Sequence, residues 1–278
     1  MNSVTQRISQ IKQPRGGFVK KSEFSVISLQ DGNYLNSDEN IHGTLVGLCV
    51  DYMTRFISGK DKLDSFRISI EGAYIAEKFG MKDSLKTVIQ LLDEITGIDD
   101  NSIVNACKVV TFDVWKRNCI GAMLAKNYEK INPDESTVEN IRILINRSLY
   151  FFENYGPVIK NGFTFEPVPA SMDLYNKMLS SGNGSYGGYT ATVSSGDGDF
   201  LTKDTLWDFK VSKAAPKSKD ILQILMYWIM GQYSGQEIFR KIEKIGVFNP
   251  RLNNVYLLEM KNVSKEIINT IERDVIGY

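Results

Sequence analysis

Apolar positions fall into two rhythms along this chain. From Gly43 to about Tyr155 they recur at helical spacing, first in Leu45, Leu48, Tyr52 and Phe56, with Gly59 as a stop. Further helices are predicted near 72–79, 83–96, 101–128 and 135–154, the last announced by the turn Pro133-Asp134-Glu135-Ser136. After Gly156 the rhythm shortens. Phe163–Val168 reads as a strand, 171–179 as a short helix, 180–188 as a glycine-rich loop and Tyr189–Ser194 as β-rich. Asp199–Leu201 and Leu206–Val211 read as strands around a polar turn. Lys219–Gly231 reads as a helix, Ile245–Phe248 and Val255–Met260 as short strands, and 264–274 as a last helix. Residues 1–35 read as a loose arm with a short strand at Phe24–Leu29. The expected class is α/β. A central mixed β-sheet flanked by helices occupies 156–278, and a mainly helical N-terminal region, 1–155, wraps it.

Composition narrows the chemistry. Thirty-three basic residues balance thirty-three acidic ones, so a basic coat is excluded while a local patch is not. His42 is the single histidine, which rules out any metal site built on two. Three cysteines, Cys49, Cys107 and Cys119, without a C-x-x-C spacing, speak for reduced thiols and exclude an iron–sulfur cluster held by four. Residues 1–21 lack the apolar stretch of a secretory signal, and the apolar run 221–231 is too short to span a bilayer. An intracellular, cytoplasmic protein with no membrane association is expected.

One motif is set aside. Gly182-Asn183-Gly184-Ser185-Tyr186-Gly187 matches G-x-G-x-x-G, but the dinucleotide reading needs a strand before and a helix after. Here a helix precedes and a strand follows, so a connecting loop is expected.

The chemistry concentrates around Gly196–Lys210. If the hairpin turn centres on Lys203–Asp204, Leu201 faces Leu206 and Asp199 faces Asp208. Directly opposed Cβ atoms lie about 4.5–5.5 Å apart, and Lys210, two beyond Asp208, shares its face. Opposed carboxylates repel unless a cation joins them. Hard oxygen donors without histidine suit Mg²⁺ or Mn²⁺, with the backbone carbonyl of Phe209 as a further ligand. A loop of odd length would instead send the two aspartates to opposite faces and leave an exposed, charged hairpin. On the next helix, Gln223 and Tyr227 share one face among apolar neighbours. A buried amide without a partner costs roughly 1–3 kcal/mol, so Gln223 needs a polar target.

In sequence order these are Gly196 and Asp199, then Asp208 and Lys210, then Gln223 and Tyr227, with Lys210-Val211-Ser212-Lys213 continuing the middle motif. This set resembles the PD-(D/E)XK nuclease superfamily, RecB-like branch, over about 160–260. The resemblance implies a restriction-endonuclease-like core, Mg²⁺-dependent phosphodiester hydrolysis and DNA as substrate. Asp199, Asp208 and Lys210 would be catalytic, Asp199, Asp208 and Phe209 would hold the metal, and Gln223, Tyr227 and Lys213 would contact substrate. More weakly, Gly43-Thr44-Leu45-Val46-Gly47 resembles the family's G-T-x-x-H helix, with Gly47 where the histidine stands. Asp51, one turn later, either replaces that ligand or pairs with Arg55 at i, i+4.

Lysines 203, 210, 213, 217 and 219 against Asp204 and Asp208 suit a DNA track, and Arg55, Arg67, Lys116, Arg117 and Arg251 are candidates to extend it. A solvated lysine loop explains the first set equally well. The missing histidine favours a rival, an inactive nuclease fold acting as a nucleic-acid-binding or inhibitory partner. A second rival is an unrelated structural or partner-binding protein in which the motif is chance. Strandedness of the substrate, exo- or endonuclease action, a homo-oligomer and a protein partner are left open.

Overall fold

The computed structural model describes residues 2–123, 130–165 and 187–278. The chain divides into two compact units, one of 1–29, 152–210 and 214–278, the other of 30–151 and 211–213. The first therefore includes the N-terminal arm as well as the C-terminal half. The ends of the helix expected over 101–128 and of the strand expected over 163–168, the helix 171–179 and most of the glycine-rich loop lie outside the described residues.

The first unit is built on a mixed sheet of six strands. Its strands are β2 (Ser25–Ser28), β3 (Lys160–Thr164), β5 (Asp197–Leu201), β6 (Thr205–Phe209), β7 (Lys244–Asn249) and β8 (Asn254–Glu259). The order is β2-β8-β7-β6-β5-β3, and a separate pair joins β1 (Asn2–Ser3) to β4 (Val193–Ser195). Only β6 and β7 run parallel within the large sheet. Parallel neighbours need a crossover, and the helix Ser218–Tyr233 supplies it. The expected strand–strand–strand–helix–strand order is thus present. The arm is more ordered than its sequence suggests: helix α1 (Val4–Gln10) buries Val4, and β2 becomes an edge strand against β8.

Period-two alternation sorts the two faces. Leu201, Leu206, Ile245 and Val247 join Leu222, Leu225, Met226 and Ile229 of helix 218–233 in one core. On the opposite face Phe200 and Trp207, paired in register, stack with ring centroids 6.3 Å apart. Phe152 and Tyr155 pack edge-on against them, at 5.1 and 5.6 Å. The last helical segment, Lys265–Thr270, runs into a π-helical turn at Ile271–Ile276 that buries Ile271, Val275 and Ile276.

The second unit is helical. It holds α2 (Gly43–Ile57), α3 (Lys62–Ser65), α4 (Arg67–Lys78), α5 (Ser84–Asp93), α6 (Asp100–Val109), α7 (Asp113–Arg117), α8 (Cys119–Ala122) and most of α9 (Glu135–Tyr155). The helix 218–233 is α10. The single helix expected over 101–128 is broken. A tight turn follows at Val110–Phe112, where β-branched residues crowd. Asn118 then leaves helical geometry, and its side chain accepts from the Gly121 N–H to start α8. Among the described residues no helix is long and apolar enough to cross a membrane.

Candidate active site

The hairpin register is the one that opposes the two aspartates. Leu201 pairs with Leu206 and Phe200 with Trp207, so Asp199 and Asp208 project from the α10 side, as Leu201 and Leu206 do. The ladder then changes. Thr202 N–H donates to Thr205 O, and antiparallel pairs alternate, so Phe209 N–H should next turn toward Gly198. It donates instead to Asp199 Oδ2, at 2.6 Å. Strands β5 and β6 part here, and the Asp199 carboxylate takes the place of the strand's backbone acceptor.

Asp208 is only 5% exposed. Its Oδ1 lies 3.2 Å from Lys210 Nζ, while its buried Oδ2 has no hydrogen-bond partner. Burial pushes the Asp208 carboxyl up to about 7, the Asp199 and Asp220 charges add to this, and the Lys210 ammonium opposes it. Burial pulls the lysine down, but Asp208, Asp199 and Asp220 outweigh it and hold its pKa above the ordinary value. The ammonium also donates to Gln223 Oε1 at 3.4 Å, and Gln223 Nε2 donates to Tyr227 Oη at 3.2 Å. Burial, with the nearby aspartates, raises the Tyr227 hydroxyl well above its usual value. Three distant stretches of sequence thus meet in one hydrogen-bonded group.

Two further residues shape this group, the motif glycine Gly196 and Asp220, which the sequence motifs do not single out. A Cβ at Gly196 would lie 2.9 Å from the Tyr227 ring and 2.7 Å from Val4 Cγ2, so glycine makes room for the tyrosine. Asp220, one turn before Gln223 on α10, adds its charge to the field at Asp208 and Lys210. Its spacing to Gln223 and Tyr227 was available, but its capping bond with the Lys217 N–H is reason enough for its presence.

Other expected residues lie elsewhere. Lys213 is not part of this group: its ammonium donates to the Ser37 carbonyl at 3.4 Å. Phe209 joins the group through its N–H, the donor to Asp199 Oδ2. His42 caps α2 by accepting from Thr44 N–H, and a Cβ on Gly47 would stand 3.6 Å from Val211 Cβ. Asp51 makes a two-point ion pair with Arg55, at 2.9 and 2.8 Å. Arg67 and Lys116 both face Glu71, and Arg117 faces Asp113, so these cations are drawn to acids of their own unit.

Two opposed carboxylates with an unmatched buried oxygen suit a hard divalent cation. Among the described residues no group of three or more histidine, cysteine or acidic side chains is placed to hold a metal. Compared with models of protein families, with curated proteins and with solved structures, the chain matches none.

Proposed function

We propose that the chain is a metal-dependent DNA nuclease with a RecB-like active site on a restriction-endonuclease-like core. The observation that carries the reading is the Asp208–Lys210–Gln223–Tyr227 group, with Asp199 across the hairpin. A structural hairpin has no use for a buried carboxylate oxygen without a donor, which costs more than a net hydrogen bond returns.

Asp199, Asp208 and a backbone carbonyl such as that of Phe209 would hold Mg²⁺ or Mn²⁺. When bound, such an ion polarises a phosphodiester and makes a water more acidic. Lys210, charged at neutral pH in this field of carboxylates, orients that water and offsets charge developing on the phosphate. Gln223 fixes the lysine through its carbonyl oxygen, so its amide nitrogen faces Tyr227. The tyrosine oxygen accepts that bond, which leaves its O–H to donate to a phosphate oxygen. The lysines of 203–219 supply the local positive charge that DNA needs in a protein of balanced charge.

The second reading is a nuclease fold that binds nucleic acid without cleaving it. Gly47, together with the lack of a third side-chain ligand among the described residues, favours it. One experiment separates the two. Wild type and Asp208→Asn are incubated with linear, circular and single-stranded DNA in Mg²⁺, Mn²⁺ or EDTA. Cleavage by wild type alone, abolished by EDTA, is expected. DNA binding by both proteins with no cleavage by either supports the second reading.

A further inference from the structure

The helical unit contains a cavity of about 610 Å³. Its apolar wall is Ile41, Leu45, Leu48, Val110, Val114 and Ile131. Leu45 and Leu48 belong to the α2 stripe whose spacing predicted a core face, yet both are only half-buried because they line this space. The volume falls within the range, roughly 300–1,000 Å³, of pockets that take small organic ligands.

The polar groups are arranged for an anion. Asp113 lines the cavity and is 2% exposed, but both its oxygens are already engaged. Oδ2 accepts from Tyr52 Oη at 2.6 Å and Oδ1 from Ser69 Oγ at 2.5 Å. Arg117 is differently placed. Its side chain is 58% exposed, and it donates only weakly, from Nε to Asp113 and from a terminal nitrogen to Tyr52, both at 3.4 Å. Most of its fork of N–H groups is thus left for another acceptor. Lys130 also lines the space, as do Thr44 and Leu45 in the first turn of α2.

We propose that this cavity binds a small amphipathic organic anion, with the aliphatic wall taking its apolar body and Arg117 and Lys130 its carboxylate, sulfonate or phosphate. The site lies within the helical unit and stands independently of the nuclease reading.

The test titrates the full chain with 8-anilinonaphthalene-1-sulfonate and with its uncharged relative N-phenyl-1-naphthylamine, following fluorescence. Saturable binding of the sulfonate at one site per chain is expected. Arg117→Gln should weaken it by about tenfold, the usual size of one charge-assisted hydrogen bond, and leave the uncharged probe unchanged. Because Arg117 also faces Asp113, Lys130→Gln serves as a second variant that keeps that pair, and it should weaken the sulfonate selectively too. Leu45→Trp should exclude both probes, with circular dichroism confirming the fold. Octanoate should displace the sulfonate and inorganic phosphate should not. No saturable binding, unchanged sulfonate affinity in both charge variants, or displacement by phosphate alone would overturn the proposal.

Discussion

Lys210 reaches one oxygen of Asp208, at 3.2 Å, and leaves the other buried without a donor. The carboxylate is therefore half-compensated in the metal-free protein. Its folded value of about 7 lies above the ordinary 3.8, so between those values the folded chain keeps a proton that the unfolded chain releases. Stability from this group is complete below about pH 4 and is lost as pH rises through about 7. In EDTA, the melting temperature of wild type relative to Asp208→Asn should fall across that window. Mg²⁺ should restore it in wild type only. Parallel melting curves at every pH would remove the strain assigned to Asp208.

Lys210→Ala should lower the cleavage rate by about 10²-fold or more, the usual range for an electrostatic or proton-transfer group. With one cation gone from the site, metal affinity should hold or increase. Calorimetry of Mn²⁺ binding checks this, and a collapse of binding would mean that the lysine organises the carboxylates and not the substrate.

Gln223 and Tyr227 form a chain behind the lysine, so their variants should differ in kind. Tyr227→Phe keeps the ring that fills the space beside Gly196 but removes the donor, and should reduce cleavage about tenfold with metal dependence unchanged. Gln223→Ala frees the ammonium and should also shift the pH dependence of the rate. Full activity of both on every DNA form would make α10 a core element only.

The pairing of Asp51 with Arg55 predicts a small effect. Asp51→Asn should reduce stability by about 0.5 kcal/mol, as for a partly exposed i, i+4 pair, and leave the Mg²⁺ titration of cleavage unmoved. A rise of tenfold in the Mg²⁺ requirement would instead make Asp51 a ligand.

Gly196→Ala tests the packing behind the motif. Its new methyl would press on Val4 and the Tyr227 ring, and overpacking of this kind costs roughly 1–3 kcal/mol. Thermal unfolding should register that loss. Cleavage by the protein that remains folded should also drop, because the ring carrying the hydroxyl must shift.

The hairpin was legible because a period of two and an even turn leave few choices: Leu201 against Leu206 fixes where Asp199 points. The α10 face was legible because a glutamine among apolar residues requires a partner, and Lys210 is that partner. The parting of β5 and β6 was not, since it depends on a side chain taking over a backbone bond. Nor was the break at Asn118, where helical periodicity on both sides hides a local contest for the N–H of Gly121. Strand β2 could be read as a strand but not placed, because its partner β8 lies at the far end of the sequence.

That last pairing has a consequence for how the molecule comes into being. Ser25 aligns with Leu257, so the sheet cannot close its β2 edge until nearly all of the chain is available. The helical unit draws almost entirely on one continuous stretch, 30–151, so nearly all its partners lie before the second half of the sheet in the sequence. Synthesis from the N-terminus releases that stretch first, so helices can form while β2 waits for its neighbour. Until then the strand presents Val26 and Ile27 with no ladder beside them, and the growing chain carries an unpaired strand edge ahead of the segment that will pair with it.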